Sequence, residues 1–172
     1  AGVATDISNA FNNRERKAML QTLYQYPQLS SIWRIADWAY TSPTPLWVKG
    51  PDGKVKHSIA SANGVRQGCG LGALLFALSV KEIYEKTAAS VPGVIAVAIM
   101  DDFYLLGIPS KVIQAYKKFM SLCEADGSLD LNLSKGKLIY FHSESLDPEV
   151  VTSAAELKLT IKTGAVKILG AP

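Results

Sequence analysis

The sequence predicts an α+β domain, with helices packed on one face of a mainly antiparallel sheet. Three observations lead there. The chain has 172 residues, 48% of them apolar, which suits one domain with a sizeable core. Its apolar positions repeat near every second residue in some stretches and at helical spacing in others. Two pairs of extended runs flank short breaks, as β-hairpins do.

Taken in order, Val3 to Ile7 reads as a short buried strand. Asn12 or Asn13 can cap a helix running to about Tyr24, with Arg14, Glu15, Arg16 and Lys17 on its wet face. Pro27 breaks it. "PQLSSIWRIADWAY" reads as a second helix, with Leu29, Ile32, Trp33, Ala36 and Ala39 or Tyr40 on its apolar side. "TPLWVKGPDGKVKHSIA" is a hairpin around Pro51-Asp52-Gly53, and "NGVRQGCGLG" is a glycine-rich loop. "ALLFALSVKEIYEK" is a helix. The runs 94–100 and 103–108 form a second hairpin, followed by an amphipathic helix from 110 to about 125. "SLDLNLSKGKLIYF" holds a turn and then a strand from about 137 to 141. "SLDPEVVTSAAEL" holds a short helical turn, and two last strands surround Thr163-Gly164.

The bulk composition narrows the function classes. A net charge of +3 permits a nucleic-acid partner without requiring one. Cys69 and Cys123 are too few for a disulfide framework and are expected to be reduced thiols. The longest uncharged apolar run, Gly68 to Val80, is too short to span a bilayer, and neither a signal peptide nor a membrane partner is expected. "AGVATDI" starts directly on a strand and "VKILGAP" stops directly after one, so a piece of a longer protein is expected.

The chemistry centres on "VAIMDDFYLLG", where Asp101 and Asp102 interrupt an apolar run. A buried unpaired carboxylate is costly, and two neighbours raise one another's pKa. Solvent at a tight turn, a basic partner or a metal ion can compensate. Aspartate is a common turn residue, so the doublet alone also fits an ordinary turn. Asp6, at the end of the first strand in "TDISNAF", is a third carboxylate a fold could bring alongside. Three carboxylates on two strand ends suit a pair of Mg²⁺ ions, which take oxygen ligands from carboxylates, phosphates and water. Two such ions about 3.5–4 Å apart can activate a hydroxyl and stabilise a leaving phosphate. In "GVRQGCGLGALLF", glycines permit close backbone approach, and Gln67 at the head of a helix can meet a phosphate, sugar or base. In "LNLSKGKLIYF", Asn132 can hold a turn, and Lys135 or Lys137 can neutralise or protonate a leaving pyrophosphate. Ordinary solvated lysines account equally well for either residue alone. His57 and His142 read as plain loop or strand residues.

In this order and spacing, "TDISNAF", "GVRQGCGLGALLF", "AIMDDFYLLG", "LNLSKGK" and "KILG" resemble motifs A to E of reverse transcriptases, most nearly the non-LTR retrotransposon type. The resemblance runs from Asp6 to Gly170. It implies the palm of a right-hand polymerase, with a small fingers-side insertion at about 27–62. It implies an RNA-directed DNA polymerase core that uses two Mg²⁺ ions, or Mn²⁺, to join a dNTP to a primer 3′-hydroxyl. The partners it implies are an RNA template, a DNA primer, a dNTP and the remaining fingers and thumb segments of a parent protein. Asp6, Asp101 and Asp102 match the carboxylate ligands, and Ile7 matches a residue that coordinates through its carbonyl. Ser8, Asn9 and Ala10 fall where backbone meets the triphosphate, and Phe11 matches the bulky gate against a 2′-hydroxyl. Gln67 and Gly68 match the motif that contacts nucleotide and template, and Lys135 the lysine that assists pyrophosphate departure. Leu169-Gly170 resembles the start of a primer-gripping hairpin.

The departures are Ile99, where the family often has an aromatic residue, and Gly70 and Ala73, where it commonly has prolines. The family's triphosphate-gripping basic residues and its thumb do not fit in this chain, so alone it is expected to be weak or inactive. A nuclear location follows from family habit. Two other readings stand beside this one. An RNA-directed RNA polymerase shares the doublet, but Phe11 speaks against it. A retired polymerase serving as an RNA-binding scaffold is opposed by the survival of three carboxylates and Lys135.

Overall fold

The computed structural model describes residues 1–66, 68–141 and 147–164. The chain divides into two compact units. One joins Ala1–Ala10 to Val80–Pro172, and the other is Phe11–Ser79.

The first unit is built on a five-stranded sheet. Its strands are β1 (Gly2–Thr5), β4 (Ile95–Ile99), β5 (Asp102–Leu106), β6 (Lys137–Tyr140) and β7 (Thr160–Thr163), ordered β4-β5-β1-β6-β7. All pairs are antiparallel except β6–β7, which is parallel. Side chains alternate across the pleat. Val3, Thr5, Phe103, Leu105 and Leu138 are therefore buried on one face, while Ile95, Val97 and Ile99 of the edge strand stay exposed on the other. The end of α4 (Gly72–Ser90) and α5 (Pro109–Asp126) cover the buried face. Tyr84 of α4 stacks on Phe103 at 4.3 Å between ring centres, and Phe119 of α5 lies 4.8 Å from Phe103. Burying each such side chain contributes about 1.5–3 kcal/mol. α5 opens on Pro109 and ends at Gly127, whose φ of 74° lets its N–H turn back to the Cys123 carbonyl.

The second unit holds the end of α1 (Ala10–Asn13), α2 (Arg16–Tyr24), a 3₁₀ turn at Pro27–Leu29 and α3 (Ser30–Tyr40). The hairpin of β2 (Thr44–Lys49) and β3 (Val55–Ser61), the glycine-rich loop and the start of α4 complete it. Met19, Leu23, Ala36, Tyr40, Leu75 and Phe76 are buried there.

The fold class agrees with the expectation, and several local details do not. The helix expected from Asn12 or Asn13 to Tyr24 starts only at Arg16 with Glu15 as its N-cap, and both asparagines belong instead to the short preceding helix α1. The loop at Gly64-Val65 takes the carbonyls an unbroken helix would use: Gly64 N–H donates to Arg14 O and Val65 N–H to Phe11 O. Arg14 and Arg16 are buried rather than on a wet face. Arg14 donates to the Oγ and carbonyl of Ser79, and Arg16 to Gly64 O, Ser61 O and Ser61 Oγ. These bonds hold the loop to the helix. The first strand stops at Thr5 rather than Ile7, because the chain turns at Asn9, whose φ is 47°. The expected short turn near 148 is a nine-residue helix, α6 (Pro148–Glu156), capped by the Asp147 side chain accepting from Glu149 N–H. Of the two expected last strands, β7 runs parallel to β6, and the second lies outside the described residues.

Candidate active site

Three carboxylates gather at one end of the sheet of the first unit. β1 and β5 pair through Thr5↔Phe103, so one further step of the same register sets Asp6 across from Asp102. β4 and β5 pair through Ile99↔Asp102, which leaves Met100 and Asp101 as a two-residue hairpin loop. Met100 has a φ of 57° and Asp101 does not have a positive one, the pattern of a type II′ turn. Glycine is preferred at Met100's position, so an unbranched side chain there is strained by about 1–3 kcal/mol. Two contacts hold the hairpin in place. Tyr84 Oη donates to Met100 O at 3.0 Å, and Thr5 Oγ1 donates to Phe103 O at 3.0 Å.

The turn carrying Lys135 is tied to the end of β1. Ser8 N–H donates to Asp130 O at 2.7 Å, and Asn132 N–H donates to Asp6 O at 2.9 Å. Ile7 is buried and bridges Leu131; those two bonds use the backbone of Asp6 and Ser8 and leave the Ile7 carbonyl out. Asn132 shapes the turn as expected, accepting from Lys135 N–H at its carbonyl and from Ser134 Oγ at Oδ1. Lys135 Nζ then stands 3.4 Å from Asp6 Oδ2 and 3.5 Å from Oδ1. Lys137, the other candidate, is exposed on β6.

The electrostatics follow from this crowding. Partial burial, then the neighbouring charges of Asp101 and Asp6, push the Asp102 carboxyl above the usual aspartate range. The donors are hard oxygens with a surplus of negative charge, which suits Mg²⁺. Among the described residues, no three His, Cys, Asp or Glu side chains close into one metal-holding group. The carboxylates lie near enough to repel, while Lys135 neutralises Asp6.

The remaining candidates belong to the second unit or its border. Ser8 is half-buried, Asn9 is exposed with its left-handed backbone, and Ala10 is buried at the start of α1. Phe11 stacks on Phe76, with centroids 4.3 Å apart and planes at 19°. Gly68 is exposed with a φ of 84°, and nothing lies within 4 Å of where its Cβ would be, so a ligand could approach its backbone closely. Gln67, Leu169, Gly170 and His142 lie outside the described residues. Arg66 is moored by its N–H to Tyr40 Oη, by its side chain to Thr44 Oγ1, and by its guanidinium 5.5 Å over the Tyr40 ring.

Two solved structures share the fold of this chain. Telomerase from Candida albicans, in complex with a fragment of telomeric RNA, superposes on 86% of the chain with a TM-score of 0.63 at 14% identity. Apo telomerase from Candida tropicalis, truncated from its C-terminal domain, superposes on 78% with a TM-score of 0.61 at 13% identity. The fold is that of a polymerase palm. The palm chain spans 27% and 29% of those two chains. In sequence it is 28% identical, over 107 residues, to the retrotransposable element SLACS 132 kDa protein of Trypanosoma brucei gambiense. That stretch is 62% of this chain and 9% of the relative. No family model matches.

Tyr84 and Thr5 are the residues of this palm that sequence reasoning missed. Tyr84 sits on the apolar stripe of a helix and reads as core. Only the fold brings its hydroxyl to the turn behind Asp101. No pattern around Thr5 marked it.

Proposed function

We propose that this chain is the catalytic palm of an RNA-directed DNA polymerase of a retroelement. The observation that carries the reading is the approach of Asp6 to the Asp101-Asp102 hairpin from a strand about a hundred residues away in sequence. An ordinary turn needs no third carboxylate and gains nothing from having Asp102 pushed upward. Asp6 and Asp102, with Asp101 and the Ile7 carbonyl, would hold Mg²⁺. The bound ions would ease loss of the primer hydroxyl's proton and offset charge on the departing phosphate. The chain's own residues have the remaining parts. Lys135 exchanges Asp6 for the pyrophosphate, neutralising it and supplying its proton. The backbone of Ser8, Asn9 and Ala10 meets the triphosphate, and Gln67 and Gly68 meet the nucleotide and template. The Phe11 ring, braced by Phe76, excludes a ribonucleotide's 2′-hydroxyl. The RNA named with the Candida albicans telomerase supports RNA as a partner.

The test is primer extension on an RNA template with Mg²⁺. It uses the longer protein that carries this chain, beside its Asp101→Asn variant. Extension that disappears in the variant supports a working polymerase. A folded protein that binds RNA but never extends a primer points instead to the scaffold reading, with Lys135 left paired to Asp6.

A further inference from the structure

The β2–β3 hairpin takes no part in the site above, and both its faces meet solvent. Leu46, Val48 and Ile59 are exposed on one face, with His57. Trp47, 62% exposed, lies on the other, opposite Ser58. Lys49 follows two residues on, so it shares the face of Trp47 about 7 Å along the strand. Pro45 and Ala60, also paired on that face, add no bulk beside the indole. The charge is one-sided. Residues 44–61 hold three lysines and one aspartate, a net of +2 in a chain whose total is +3. Asp52 pairs with Lys56 at 2.9 Å. Among the described residues, Lys49 and Lys54 have no ion-pair partner.

We infer that this hairpin is a stacking platform for single-stranded RNA, with Trp47 receiving a base and Lys49 and Lys54 the flanking phosphates. An indole left 62% exposed, with an ammonium group on the same face of the hairpin, offers a base a stacking surface beside a site for its phosphate. A purely apolar protein surface would have to strip water from two unpaired ammonium groups. A nucleic-acid strand satisfies both features, because every base has a stackable face and every phosphate a charge. The identity of the strand as the template rests on the polymerase reading; the platform itself does not.

The test measures binding of the full chain to a fluorescein-labelled single-stranded oligouridylate by anisotropy across a salt series. Trp47→Ala should weaken binding about 5- to 150-fold, the value of one stacked base, while Trp47→Phe keeps most of it. Lys49→Gln with Lys54→Gln should reduce the slope of log K against log salt by about 1.4. Circular dichroism and the thermal midpoint check that each variant is folded. Affinity and salt slope unchanged in the folded Trp47→Ala and double-lysine variants, or no binding by the parent chain, overturn the platform. Trp47-dependent binding by this chain, with no primer extension by the folded longer protein, sinks the polymerase reading and leaves the platform standing. Extension that persists with binding indifferent to Trp47 does the reverse.

Discussion

Asp102 carries an electrostatic penalty that can be read as a function of pH. Its folded pKa is raised, so the folded state disfavours the charged form. The protonated chain has its full stability below the ordinary aspartate pKa of about 3.9, and loses part of it as pH rises through the folded value. Asp102→Asn should therefore raise the thermal midpoint at pH 7, with the gain fading toward pH 3. A gain independent of pH would assign the effect to something other than charge. Tyr84→Phe isolates the hydroxyl that holds Met100 O. It keeps the ring stack on Phe103 and should cost about 1 kcal/mol, read as a lower denaturant midpoint at unchanged m. Phe11→Ala should increase ribonucleotide incorporation by the longer protein; unchanged discrimination would remove Phe11 from the gate.

At the scale of elements, the joint between α1 and α2 shows how a loop can break a helix. Gly64 approaches so closely that a Cβ would lie 2.4 Å from both the Phe11 and Asn12 carbonyl oxygens, and its φ is 68°. Gly64→Ala combines a backbone clash with a left-handed conformation, so it should destabilise the chain by on the order of 3 kcal/mol. A variant within 0.5 kcal/mol of the parent in denaturant unfolding, roughly the span of neutral surface changes, would mean that the loop does not pin the joint. The same joint explains why Arg14 and Arg16 were misread as wet. Their acceptors, at Ser61, Gly64 and Ser79, are between 45 and 65 residues away in sequence, beyond the reach of any local pattern. The Met100-Asp101 loop is the opposite case. A break between apolar runs was visible directly at Asp101-Asp102; the structure moves the two-residue loop back by one, because Asp102 pairs with Ile99 as the first residue of β5, and adds the strain and the Tyr84 clasp.

For the molecule as a whole, the proposed ions should act as a folding ligand. A cation that binds only the folded chain stabilises it by about 2.7 kcal/mol at a hundred times its Kd. Mg²⁺ should therefore raise the thermal midpoint of the parent chain, and the Asp6→Asn, Asp102→Asn double variant should lose that rise. A rise that survives in the double variant would place the ion elsewhere. The comparisons bear on this scale too. Likeness at 13–14% identity secures the architecture, while the carboxylate chemistry rests on this chain's own geometry.

Sequence by itself determined the α+β class, both hairpins, a turn at the aspartate doublet to within one residue, the glycine-rich lead into α4 and the turn at Asn132. All are local: periodicity, turn chemistry and capping act over a few residues. Tertiary structure alone decided that Asp6 faces Asp102, that Lys135 reaches Asp6, that Tyr84 clasps the turn, that Arg14 and Arg16 are buried and that β7 runs parallel to β6. Each of these depends on pairing between distant segments. Strand register and core packing set that pairing, and no short window of residues contains it.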